Sequence, residues 1–239
     1  MESAVKLFSP VKSKRTFEEV SDSIKELILN GTLKVGDRLP SETELAQQFS
    51  VGRQTIREAL RLMELSGFIT IQRGGGGGSI IKDTMLRRIG DLFADAFRMR
   101  SVTLGALTQA RLEIERIVLE HVLSNADQAD LNLLGENVAE AQRSVDAGRM
   151  ASDHNFEFHI LLARASKNEV FVIVVESIMA VHMELLSRVG ADLETSRNVV
   201  RAHRELLRAI EDRDRLLALR LLEEHVLDVK RRLKDTASL

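Results

Sequence analysis

From residue 84 almost to the end of the chain, apolar side chains return at helical intervals, with no proline and no strand-like alternation. The pattern predicts seven helices, over about 84–98, 103–123, 127–147, 151–166, 168–189, 193–211 and 213–234, separated by short polar or glycine-bearing breaks. Earlier residues read differently. Phe17 to Leu29 is a helix with Val20, Ile24, Leu27 and Ile28 on one face, and Gly31 and Gly36 flank the following loop. Glu42 to Phe49 is a short helix capped by Ser41, Ser50-Val51-Gly52 is a turn, and Arg53 to Ser66 is a second helix ended by Gly67. Leu45, Ala46, Phe49, Val51, Ile56, Ala59, Leu60 and Met63 close the angle between these two helices. Phe68 to Arg73 then alternates as a strand, Gly74 to Gly78 form a tip, and Ser79-Ile80-Ile81 return as a second strand. The expected fold is mainly α: a flexible arm over 1–16, a winged helix-turn-helix over 17–83, and an all-helical antiparallel bundle over 84–239.

A helix-turn-helix reads DNA with the exposed N-terminal end of its second helix, which here carries Arg53, Gln54, Thr55 and Arg57. Arginine supplies bidentate contacts to guanine or phosphate, and threonine a hydroxyl or methyl contact. One such helix covers only a few base pairs, so double-stranded operator DNA read by a homodimer is the expected partnership. Net charge does not advertise it. Residues 1–83 carry 12 Lys/Arg against 11 Asp/Glu, so any positive patch must come from local placement.

The 239 residues include no cysteine, which excludes a disulfide framework and a thiolate metal site and fits a reducing cytoplasm. No long apolar run suggests a signal peptide or membrane span, so a cytoplasmic location with no membrane partner is expected. Trp and Tyr are absent, which argues against an aromatic platform for single-stranded nucleic acid.

In the bundle, polar residues interrupt apolar stripes. Arg111 breaks the line Leu104, Leu107, Ile114, Val118; a buried guanidinium needs an acid, either Glu115 one turn on or an anionic ligand. His159 stands among Phe158, Ile160, Leu161 and Leu162, His203 on the line Val199, Leu206, Ile210, and His225 on the line Ala218, Leu221 or Leu222, Val229. Asn155 precedes His159 by four residues and shares its face. Three interior histidines from three helices, with an oxygen donor one turn away, fit a divalent metal such as Zn or Ni. His182 also falls on an apolar stripe, so stripe position alone does not single out a ligand; His121 and His154 carry no such signal.

The segment from Asn30 to Glu42, continuing through Ile56-Arg57-Glu58-Ala59-Leu60, resembles the DNA-binding domain of the GntR family of bacterial transcription regulators. Asn155-Phe156-Glu157-Phe158-His159, Ala163 to Asn168, His203 to Ile210, and His225 are similar to the effector domain of its FadR subfamily. The resemblance implies a DNA-binding regulator, most often a repressor, whose bundle holds a metal through an acid and three histidines and takes a small carboxylate beside it. His159, His203 and His225 match the three histidines, Asn155 stands where the family usually has Asp, and Arg111 matches the arginine of the ligand cavity. Arg53, Thr55 and Arg57 match the recognition-helix contacts, Arg73 and Gly74 the wing tip that enters the minor groove, and Thr43 replaces a usual DNA-contacting arginine. Two rivals stand beside this reading: a metal-dependent enzyme built on the bundle, and an architectural DNA-binder whose bundle only dimerises. No convincing general base accompanies the histidines, and no Glu-x-x-His pair suggests a di-iron site.

Overall fold

Ser41 caps the helix that begins at Glu42 by accepting a hydrogen bond from the Glu44 amide, while the Ser41 amide donates one to the Glu44 carboxylate at 2.8 Å. This capping box fixes the entry of a seven-residue helix too short to hold itself. The computed structural model describes residues 16–72, 78–82, 84–100, 102–189 and 192–236. The chain divides into two compact units, one ending at Arg88 and the other beginning at Ile89. The first contains α1 (Thr16–Leu29), α2 (Glu42–Gln48), α3 (Arg53–Leu65), β1 (Ile69–Gln72) and β2 (Gly78–Ile81). Val20, Ile24, Leu39, Leu45, Ile56, Leu60, Met63, Ile69 and Ile81 form its core. Ser50 turns the chain between α2 and α3 in the left-handed region (φ 53°), a conformation glycine would adopt more freely.

Past α3, Gly67 takes φ 84°, its amide bonds Glu64 O, and the Phe68 amide reaches back to Met63 O. A side chain there would also press on Thr84 and Arg88 at 3.2 Å, so glycine is required on both grounds. The stop aims β1 into an antiparallel pair with β2, in the register Ile69 opposite Ile81 and Gln72 opposite Gly78. Arg38 bridges to Ile80 on the other side of β2, and Leu39 donates to Ser79 O. The expected arm lies outside the described residues up to residue 15, and Thr16 opens α1. Arg73 and Gly74 at the wing tip likewise lie outside them.

The second unit is helical among the described residues: the later part of α4 (Met85–Met99), then α5 (Leu104–Asn125), α6 (Gln128–Asp146), α7 (Ser152–Ala165), α8 (Glu169–Val189), α9 (Leu193–Glu211) and α10 (Arg215–Thr236). Phe158, Leu119, Val122, Leu134, Leu206, Ile210 and Leu222 lie at its centre. Helix α7 packs against α5, α6, α8 and α9, which is why only Asp153 and Arg164 of its residues are exposed. Gly90 lets α4 approach α8 closely, since a Cβ there would lie 2.7 Å from that of Ala180. The start of α10 departs from the sequence expectation: the turn after α9 runs through Arg213, in the left-handed region at φ 56°, and the helix begins at Arg215. The Arg213 guanidinium holds that turn by donating to the carbonyls of Val122, Leu123 and Ala126 at the end of α5.

Candidate functional site

At the N-terminal end of α3, Arg53, Gln54 and Arg57 are exposed and Thr55 is half-buried, while Ile56, Ala59, Leu60 and Met63 on the opposite side are buried. That amphipathic split leaves the polar end available to a groove. Arg57 is already oriented: its Nε donates to Glu42 Oε1 at 3.2 Å and its Nη2 to Oε2 at 2.8 Å. The pairing holds Glu42 below the usual carboxylate range. Thus Glu42 of α2 occupies one edge of the Arg57 fork, and a DNA acceptor must use the remaining N–H groups or displace that carboxylate. Replacing Arg57 with alanine is expected to weaken binding to a selected duplex about tenfold to a hundredfold, measured by fluorescence anisotropy, while leaving metal content unchanged.

In the bundle, α5, α7, α9 and α10 each contribute buried polar side chains to one cluster. Arg111 is 2% exposed and Glu115, one turn later, 5%. One carboxylate serves two partners: Glu115 Oε1 accepts from Arg111 Nε at 2.5 Å, and Oε2 accepts from His159 Nδ1 at 2.7 Å. Of the two sequence alternatives for Arg111, the Glu115 partner is present, and the guanidinium also donates from Nη2 to His159 Nε2 at 2.8 Å. Burial alone would raise the Glu115 carboxyl; the adjoining Arg111 charge and the His159 contact outweigh it and hold Glu115 far below the carboxylate range.

Three imidazoles converge. His225 Nε2 lies 3.2 Å from His203 Nε2 and 3.2 Å from His159 Nε2, and the nitrogens of all three fall within 4.8 Å of one another. Phe158 stacks on the His203 ring at 4.0 Å, fixing its plane. Burial pushes His203 and His225 well below the ordinary histidine range, and pushes His159 down despite Glu115, so the rings are neutral; the His159 Nε2 lone pair accepts from Arg111, which a metal would have to displace. Tetrahedral Zn–N bonds of about 2.0–2.1 Å set neighbouring nitrogens about 3.3 Å apart, close to the spacing found here. Glu115 behind His159 supplies the outer carboxylate that orients a metal-binding imidazole. Asn155 Oδ1 is buried without a hydrogen-bond partner among the described residues. The donor set therefore fits a divalent cation.

A cavity of about 70 Å³ adjoins the cluster, lined by Arg111, Asn155, His159 and His225 together with an apolar wall that includes Met150, Phe156 and Met179. The sequence-predicted bundle residues thus gather around one place, except that His203 lies behind the cavity wall rather than on it. Spacing did not distinguish two further residues: Glu115 as the shared anchor, and His182 of α8, which lines the same cavity. Glu115 was signalled only as the acid one turn after Arg111, and His182 only by its place on an apolar stripe.

Neutral burial makes stability depend on pH. In the unfolded chain each histidine binds a proton near pH 6.5, whereas His182, His203 and His225 have folded values well below that. The stability they contribute is present above pH 6.5 and is lost as pH falls. Chelated protein should lose about 1.4 kcal/mol per pH unit for each of these histidines below about pH 6, read from urea melts between pH 7.5 and 5.

A winged helix with exposed arginines, followed by a bundle with a small cavity that sets Arg111 and imidazoles against an apolar wall, defines a DNA-binding regulator with a helical effector domain. The model of the family described as bacterial regulatory proteins, gntR family, matches residues 16–77, and the FCD domain model matches residues 106–228. The chain belongs to the GntR family of transcription regulators and carries an FCD-type effector domain. It is 28% identical over 231 residues to the HTH-type transcriptional repressor NanR of Klebsiella aerogenes, covering 92% of this chain and 86% of that protein. It is 28% identical over 160 residues to the HTH-type transcriptional regulator LutR of Bacillus subtilis, covering 67% of this chain and 72% of that one. Among solved structures, Streptococcus agalactiae GntR superposes with a TM-score of 0.64 at 26% identity, over 90% of this chain and 99% of that chain. The E. coli protein McbR/YncC shares the fold, with a TM-score of 0.51 at 17% identity over 94% of this chain and 100% of that chain. These relatives are regulators, and the chain is a regulator rather than a metal-dependent enzyme. No described helix is long and apolar enough to cross a membrane.

Proposed function

We propose that the protein is a dimeric repressor whose DNA affinity is set by a small carboxylate bound beside a divalent metal in the FCD domain. The observation that carries this reading is the convergence of three neutral imidazole nitrogens, 3.2 Å between neighbours, against a cavity holding an unpartnered Asn155 oxygen and the Arg111 cation. His159, His203, His225 and Asn155 would hold the ion, Zn or Ni by donor type. When bound, the metal supplies positive charge and an open position for a carboxylate oxygen.

The chain's own residues do the rest. Glu115 holds the His159 ring by its Nδ1–H, so that Nε2 faces the cluster, and keeps Arg111 charged and oriented at the cavity wall. Arg111 binds the acid's carboxylate, and Met150, Phe156 and Met179 exclude water around its carbon chain. Asn in place of the family's usual acid leaves one negative charge fewer at the ion, so binding is weaker than an all-acid set would give. On the DNA side, Arg53, Gln54, Thr55 and Arg57 enter the major groove, and Arg73 with Gly74 the minor groove. By linkage, the acid changes operator affinity only by as much as its own affinity differs between free and DNA-bound protein.

Thermal unfolding of metal-loaded and chelated protein, with and without small mono- and dicarboxylates, tests the reading. An acid should raise the melting temperature of the loaded protein and have little effect on the chelated one. Equal shifts in both would place the acid away from the metal, and no shift from any acid would remove it as effector.

A further inference from the structure

Of the four imidazoles gathered around the cavity, three have partners. His159 bonds Glu115 and lies against Arg111, and His203 and His225 face each other. His182 is different. It is 5% exposed, lines the cavity from α8, and forms no hydrogen bond with any described residue. Nor does it join the cluster of His159, His203 and His225, whose nitrogens converge within 4.8 Å. Burial, assisted by the Arg111 charge, pushes its pKa well down, so it presents one N–H donor and one bare nitrogen. Its ring nitrogens are not among the fully buried, unpartnered polar atoms, and the side chain lines the cavity, so a polar guest there can complete its hydrogen bonding. His182 reaches the cavity from a helix that contributes none of the three clustered histidines, so a guest held at Arg111 and the histidines would meet it from another wall.

We propose that His182 is a specificity-determining residue, whose N–H reads a second oxygen on the guest acid, favouring small hydroxy or oxo acids over their plain counterparts. This deepens, and rests on, the carboxylate reading of the cavity. A second oxygen one or two carbons from the carboxylate is within reach of a site of about 70 Å³. A site that supplies a buried donor discriminates strongly against a ligand lacking the acceptor, because the donor is then left without a partner.

The test uses the full-length, metal-loaded chain and paired probes: acetate against glycolate, propionate against lactate, and succinate against malate. Affinities are read by thermal shift and calorimetry. Wild type should prefer the hydroxylated member of at least one pair by about tenfold or more. His182→Leu should abolish that preference, leaving affinity for the plain acid within about threefold, and His182→Gln, which keeps an N–H donor, should restore part of it. His182→Phe substitutes for the leucine variant if that chain does not fold. A preference unchanged by these variants, or no preference in wild type, overturns the role of His182 while leaving the carboxylate reading standing. If no acid stabilises wild type, both fall together.

Discussion

Replacing Glu115 with alanine is expected to lower the unfolding free energy of the helical domain by about 3–5 kcal/mol, because it strands a buried guanidinium. Arg111 and Glu115 are 2% and 5% exposed, and the same carboxylate also holds His159. Solvent cannot replace the lost partner at that depth. Glu115→Gln should cost less, since the amide oxygen still accepts one hydrogen bond although the charge is gone. A double variant, Arg111→Met with Glu115→Leu, should recover much of the loss, because apolar residues of similar volume need no partner. Urea unfolding followed by circular dichroism measures all three. A single-variant loss below about 1 kcal/mol would mean the pair is solvated rather than buried.

The other large effect concerns metal. With free metal about a thousandfold above its dissociation constant, the folded domain should gain about 4 kcal/mol. For a domain of this size that raises its melting temperature by about 8–16 °C. His203→Ala should remove nearly all of that gain, since His203 contributes one of the three converging nitrogens. His121→Ala is the control: His121 is exposed, packs edge-on to Phe171, and lies outside the cluster. Elemental analysis of the purified variants should follow the melts, with metal retained by His121→Ala and absent from His203→Ala. Equal metal content in both would show that these histidines are core residues only.

Much of this arrangement was legible in the sequence because burial leaves periodic marks. Ser41 and Glu44 spell a capping box, Gly67 a left-handed stop, and the alternation around Ile69 and Ile81 two paired strands. Imidazoles placed on apolar stripes at His159, His203 and His225 declared that they point inward. Periodicity gives direction, however, and not neighbours. Stripe position could not separate His182, on the cavity wall without a partner, from His203, behind it. Nor could it show that a single carboxylate, Glu115, serves both Arg111 and a histidine 44 residues away. The shift in the start of α10 has a similar origin: the conformation at Arg213 depends on carbonyls at the end of α5, which no local window contains.

Operator affinity under control of the cavity is the claim that joins the two halves of the protein. It is tested by anisotropy titrations of the metal-loaded chain against a duplex that the protein has itself selected from a random-sequence pool, with and without the acid that stabilises it most. A change in dissociation constant of about fivefold or more is expected with acid, absent in His203→Ala and in chelated protein. An acid that raises the melting temperature yet leaves operator affinity unchanged would contradict it.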